Sequence, residues 1–141
     1  MTHWEIYVPG PPVPWQRPKS SGPRRFTCPS DAAHRQEVAH AALKAGVLLE
    51  REALFTVDLE FTFPYTSGTS VTPRADVDNL TKGVLDALVG IAWEDDRWVT
   101  EIRAIKRHSV IATDTAGYTK IQLWSQSFPE PPPRRRRARN S

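Results

Sequence analysis

Alternation of apolar and polar residues is strongest at residues 54–63, where nearly every second side chain is apolar. It predicts a β-strand with one buried face, because successive side chains of a strand point to opposite sides. Shorter alternating segments at residues 4–8 and 118–124 predict two more strands. Residues 98–108 place apolar side chains on both faces, which predicts a strand at an inner position of the sheet.

Two further segments have the residue spacing of helices. The first follows Ser30, a suitable N-cap, and ends at Gly46, but its apolar face is weak. The second covers residues 79–88, with Asp78 as the predicted N-cap. Its apolar positions form a stripe that should be buried, at Leu80, Val84, Leu85 and Leu88.

The order of the predicted elements is strand, basic loop, helix, strand, loop, helix, strand, strand. This order predicts an α+β (mixed α/β) fold with a mixed β-sheet and helices packed on it. A chain of 141 residues suits one domain with its own core. We place that domain at residues 1–127, with a basic, proline-rich loop at residues 9–29 and a tail at residues 128–141.

The net charge of +3 is unevenly distributed along the chain. The tail contains five arginines and one glutamate, which leaves 14 basic and 15 acidic residues in the rest of the chain. Because the tail is rich in proline and arginine and poor in apolar residues, it is predicted to be disordered and to favour polyanions. A tail that only adds solubility is the alternative interpretation.

No apolar run is long enough for a transmembrane helix, and the N-terminus lacks the pattern of a signal peptide. We therefore expect no membrane association and a location in the cytoplasm. The predicted loop at residues 9–29 interleaves the aromatic residues Trp15 and Phe26 with basic side chains, as a surface that contacts phosphates and stacks on bases would. These basic residues are Arg17, Lys19, Arg24 and Arg25.

The chemistry-bearing segment of the chain is residues 73–96, which contains five aspartates. Asp76 and Asp78 share one face if their segment is extended, and Lys82 follows Asp78 by one helical turn. A second acidic pair, Asp95 and Asp96, follows the predicted helix. Converging carboxylates repel one another unless a cation lies between them, and oxygen ligands select Mg²⁺ or Mn²⁺.

Each part of this segment also has an ordinary interpretation. An Asp-x-Asp pair is common at turns and helix starts. Asp86 lies four residues after Lys82, and we expect the two side chains to form a surface ion pair. It is the combination of Asp-x-Asp-Asn, the lysine and the later Asp-Asp pair that favours a metal site.

Three motifs of the chain resemble those of the RusA family of Holliday junction resolvases. They are GPPVPWQRP near the N-terminus, DVDNLTKGVLDAL at residues 76–88 and WEDD at residues 93–96, in the order and spacing of that family. The resemblance covers residues 6–124. It implies a RusA-like fold and a homodimeric endodeoxyribonuclease, often encoded by phages and then located in the host cytoplasm.

By resemblance, the substrate is a four-way DNA junction, cut during recombination and repair in the presence of Mg²⁺ or Mn²⁺. The resemblance implies that Asp76, Asp78 and Asp96 bind the metal, with Asp95 as the alternative to Asp96, and that Lys82 is catalytic. Arg74 is the one basic residue directly before the first aspartate, where the family often has more. Two alternatives stay open: a nuclease for flaps or other branched DNA, and a non-catalytic DNA-binding or packaging protein.

Overall fold

The computed structural model describes residues 1–15, 19–21, 24–26, 29–65 and 75–127. Its elements, in chain order, are β1 (Thr2–Pro9), β2 (Lys19–Ser21), β3 (Arg24–Phe26), α1 (Pro29–Lys44), β4 (Ala53–Phe63), α2 (Val77–Leu88), a 3₁₀ helix (Asp96–Trp98), β5 (Val99–His108) and β6 (Tyr118–Ser127). The predicted order of elements is confirmed. The structure adds the antiparallel ribbon of β2 and β3 inside the predicted loop.

Within the described residues, four strands form a mixed sheet in the order β1, β6, β4, β5. The pairs β1–β6 and β6–β4 are antiparallel, whereas β4 and β5 are parallel. Parallel neighbours need a crossover connection, and α2 lies in the chain between β4 and β5. The predicted α+β class is therefore confirmed, as a single domain with a mixed sheet and packed helices.

One face of the sheet and the two long helices share a hydrophobic core. In β4, the alternation predicted from the sequence becomes alternating burial, with Phe55, Val57 and Leu59 fully buried. The stripe of α2 is buried at Leu80, Val84 and Leu88, whereas Leu85, also predicted to be buried, is only partly buried and lines a groove. α1 contributes mainly Val38 and Ala42. Burial of these side chains holds α2 against the sheet and fixes which of its faces is exposed.

The prediction that residues 98–108 form an inner strand is wrong. β5 lies at the edge of the sheet, and the inner positions belong to β4 and β6. Apolar side chains on both faces of β5 are partly exposed, at 45% for Ile102 and 38% for Ile105. Apolar residues on both faces are typical of inner strands, but here they occur on a strand that is only partly covered.

Both predicted helix caps are also wrong, because each helix begins two residues earlier than predicted. α1 begins at Pro29, so Ser30 lies inside its first turn; proline is favoured at the first helical position. α2 begins at Val77, and its N-cap is Asp76 in an extended conformation. Asp78 therefore lies in the first helical turn, where a carboxylate is also favoured by the helix dipole.

The turn before β6 depends on Gly117 and on the side chain of Asp114. The Gly117 N–H donates to Asp114 Oδ1 over 3.0 Å, and Gly117 has a φ of +74°. A Cβ atom at this position would lie 2.6 Å from the Thr62 carbonyl oxygen, so only glycine fits. None of the helices in the described ranges is long and apolar enough to cross a membrane.

Candidate active site

An open groove of about 460 Å³ lies between α2 and β5 and contains most of the predicted catalytic chemistry. We call it the α2–β5 groove. Its lining consists of Val77, Asp78, Thr81, Lys82, Leu85, Asp96, Ile102 and Ala104. Two acids and one lysine thus share a surface that is otherwise apolar or weakly polar.

α2 positions Asp78 and Lys82 on the groove side. The two residues are four apart and therefore lie one above the other on the helix surface. Leu80 and Val84 are fully buried on the core side of the same helix. Because the core fixes the rotation of α2, it also determines that Asp78 and Lys82 face outward beside β5.

The 3₁₀ helix brings Asp96 into the groove and gives Asp95 a different role. Asp96 is the first residue of this helix and lines the groove. Asp95 is its N-cap, and Asp95 Oδ1 accepts a 2.9 Å hydrogen bond from the Arg97 N–H. The structure thus places Asp96, the preferred member of the pair in the sequence prediction, next to Asp78 and Lys82.

Asp76 is exposed at the start of α2 and is absent from the groove lining. As Asp76 is extended and Asp78 helical, the two do not share one face of an extended segment as expected. No hydrogen bond to the helix occupies the Asp76 side chain. Next to it, Lys106 Nζ donates to the Ala75 carbonyl oxygen over 3.0 Å and ties β5 to the beginning of α2.

The predicted ion pair between Lys82 and Asp86 is wrong. Asp86 pairs with Arg35 of α1 instead, with 3.7 Å between Oδ2 and the guanidinium nitrogen. Lys82 Nζ lies 4.5 Å from the centre of the Trp15 ring. The cause is packing between elements: α1 presents a cation to Asp86, and the N-terminal segment presents an aromatic face to Lys82.

The groove provides oxygen ligands suited to a hard divalent cation. Mg²⁺ in nucleic-acid enzymes is commonly held by one or two carboxylates, with water and phosphate oxygens completing its coordination. Asp78 and Asp96 match that donor set. Among the described residues, no group of three or more His, Cys, Asp and Glu side chains is arranged to hold a metal ion. The groove lining thus contains two carboxylates that could hold such an ion.

A second groove, of about 520 Å³, lies between β1 and α1 and contains none of the predicted catalytic or metal-binding residues. The predicted DNA-binding residues are not described at side-chain level. Arg17 and Arg74 lie outside the described residues, as does the tail at 128–141. For Lys19, Arg24 and Arg25 the structure describes the backbone alone, in the β2–β3 ribbon.

Sequence reasoning missed two residues beside the groove, Trp15 and Lys106. We interpreted Trp15 as a base-stacking residue of the basic loop, whereas its ring lies against Lys82. Lys106 belongs to the same face of β5 as Ala104, which lines the groove. Alternation along β5 is sufficient to place Lys106 on this face, but only tertiary packing brings it to Ala75.

Comparison with known protein families gives a match that spans most of the chain. The family model described as endodeoxyribonuclease RusA matches residues 9–116, which is more than three quarters of the chain. The match includes β4, α2, the 3₁₀ helix and β5, and hence the whole α2–β5 groove. No curated protein matches the chain significantly.

Proposed function

Because the chain belongs to the RusA family of endodeoxyribonucleases, we propose that it resolves four-way DNA junctions by metal-dependent hydrolysis of phosphodiester bonds. The observation that carries this proposal is the placement of Asp78, Lys82 and Asp96 around one open groove. An open groove suits a backbone phosphate of a large substrate, which has to be approached from outside the protein.

Hydrolysis of a phosphodiester requires an activated water, neutralisation of the phosphate charge and assistance to the leaving oxygen. Lys82 provides a positive charge at the groove, where its ammonium group can bind a phosphate oxygen and stabilise the charge that builds up in the transition state. The same group can give a proton to the leaving oxygen. Lys82 is therefore the proposed catalytic cation.

Asp78 and Asp96 are the proposed ligands of Mg²⁺ or Mn²⁺, with Asp76 available at the adjacent N-cap. Such an ion, when bound, supplies Lewis-acid polarisation of the phosphate and lowers the pKa of its water. The carboxylates themselves hold negative charge at the groove, which favours the binding of a cation there. Asp95 is the weaker candidate because its carboxylate caps the 3₁₀ helix.

We further propose that the active form is a homodimer. A four-way junction has approximate two-fold symmetry, and paired cuts in two strands need two sites within one complex. A dimer with two-fold symmetry would supply these sites without any additional domain. Sedimentation of the protein with and without junction DNA would test the assembly.

The central experiment uses Asp78→Asn with synthetic four-way junctions and Mg²⁺. We expect nicking to fall by about 100-fold or more, since a lost metal ligand costs several kcal/mol of transition-state stabilisation. Glu94→Gln is the matched control, because Glu94 is an exposed acid between α2 and the 3₁₀ helix and pairs with Arg51 outside the groove. Equal activity of the two variants would refute the assigned site.

The substrate class is tested by comparing junctions, flaps and linear duplex under single-turnover conditions. Preferential paired cleavage of junctions supports resolution. Faster cleavage of flaps would indicate instead that the protein is a branched-DNA nuclease that uses the same groove. Tight binding of junctions without cleavage by any divalent cation would favour the non-catalytic DNA-binding or packaging protein.

A further inference from the structure

The N-terminal segment at residues 13–15 lies across the first turns of α2. The Trp15 N–H donates to the Asn79 carbonyl oxygen over 3.0 Å. A Cβ atom at Gly83 would lie 3.6 Å from both the Trp15 nitrogen and the Val13 oxygen, so a side chain longer than a methyl group would displace the segment. The small residue at position 83 thus lets the backbone of this segment approach the helix.

This contact places the indole ring of Trp15 under the ammonium group of Lys82. The distance from Lys82 Nζ to the ring centre is 4.5 Å, within the range of a cation–π interaction, and tryptophan is the strongest partner for one. Lys82 forms no ion pair with an acidic side chain in the described part of the chain. In the described part of the chain, the contact shown for this charge is the aromatic face of Trp15.

We propose that Trp15 is a positioning residue for Lys82. A lysine side chain has four carbon–carbon rotatable bonds, and an unconstrained ammonium group would spend much of its time away from the phosphate. The ring restricts the ammonium group to the groove and leaves its positive charge in place. A carboxylate partner would neutralise that charge. This inference rests on the proposed function, because it assigns Trp15 to the same catalytic groove.

The first test does not depend on nuclease activity. Protons of the Lys82 side chain above an indole ring should have resonances shifted upfield, and Lys82→Met identifies them in spectra of the full chain. We expect Trp15→Leu to move these resonances to ordinary lysine positions, whereas Trp15→Phe keeps part of the shift. Ordinary positions in the wild-type protein would overturn the proposal, whatever the protein's activity.

The second test separates positioning from a general structural role. For cleavage of a four-way junction, we expect Trp15→Leu to lower the single-turnover rate at saturating DNA by about 2- to 30-fold, the range of one cation–π contact. Trp15→Phe should retain most of the rate. In the Lys82→Met background, Trp15→Leu should have no further effect.

An equal loss from Trp15→Leu with and without Lys82 would show that the ring acts independently of the lysine and would overturn the proposal. Thermal unfolding of each variant identifies any loss that comes from misfolding, and Trp15→Phe then decides the question. If wild-type protein cleaves no DNA while the upfield shift is present and lost in Trp15→Leu, the contact stands and the proposed function fails. The two failures are thereby distinguished.

Discussion

Asp95 Oδ1 accepts a 2.9 Å hydrogen bond from the backbone N–H of Arg97 and thereby caps the 3₁₀ helix. Its neighbour Asp96 lines the α2–β5 groove with Asp78 and Lys82. Asp95 and Asp96 therefore have different environments, although they are adjacent residues of the same type in the motif WEDD. One stabilises the backbone turn, and the other faces the proposed reaction site.

This difference predicts different effects of two conservative substitutions. Asp96→Asn should lower junction cleavage by about 100-fold or more, because it removes a negative charge from the groove. Asp95→Asn should retain activity within about 3-fold, since asparagine caps helices about as well as aspartate. Single-turnover cleavage at fixed Mg²⁺ measures both. If Asp95→Asn lost more activity than Asp96→Asn, Asp95 would be the metal-binding residue of the pair.

Lys106 connects β5 to the start of α2 through its 3.0 Å bond to the Ala75 carbonyl oxygen. Lys106→Met keeps much of the stem and removes this bond, so we expect the free energy of unfolding to fall by about 1 kcal/mol. Cleavage should fall by about 10-fold, because Ala75 directly precedes Asp76 and the first turn that holds Asp78.

The control for Lys106→Met is Arg103→Met, an exposed residue of β5 whose side chain lies on the opposite face of the sheet. Urea denaturation measures the stability of both variants, and cleavage of a four-way junction measures their activity. If Lys106→Met and Arg103→Met behave alike, the bond to Ala75 does not position the helix start.

The core beneath the groove should be sensitive to truncation. Leu80 is fully buried, so Leu80→Ala should lower the free energy of unfolding by about 2–5 kcal/mol. Leu48 is 71% exposed, and Leu48→Ala should change the free energy of unfolding by no more than about 0.5 kcal/mol. Chemical denaturation compares the two. Similar small losses would mean that the stripe of α2 does not anchor the helix as described.

The elements that could be predicted are those whose own residues carry the periodicity. β4 alternates in sequence and in burial, and Leu80, Val84 and Leu88 of α2 are buried as predicted. Asp78, Lys82 and Asp96 lie within 19 consecutive residues, and the groove brings them together. Local pattern was sufficient here because a single helix and the turn after it position the three side chains.

The features that could not be predicted depend on contacts between distant segments. The edge position of β5 follows from its pairing with β4 alone, which periodicity does not specify. The partner of Asp86 is Arg35, a residue of another helix, and the partner of Lys82 is Trp15. The i,i+4 spacing of Lys82 and Asp86 permits an ion pair, but each side chain contacts a residue from another segment instead.

The tail at residues 128–141 gives a prediction about salt dependence. Its five arginines should bind phosphates without reading sequence, so deleting the tail should weaken junction binding and flatten the dependence of affinity on salt concentration. Metal-dependent cleavage at saturating protein should persist, because the groove lies within residues 77–104. Equal salt slopes for the full and shortened chains would contradict this.

The turn before β6 should weaken in acid. The hydrogen bond from the Gly117 N–H, supported by that from Ser109, holds the pKa of the Asp114 carboxyl below its ordinary value of 3.8. A carboxyl with a lowered pKa in the folded state stabilises it fully above the unfolded value, and this contribution disappears as the pH falls through the folded pKa. Wild-type protein should therefore lose stability relative to Asp114→Asn below pH 3.8. Urea denaturation across this range measures the difference, and a constant difference down to the acid limit would show that the carboxylate does not stabilise the turn.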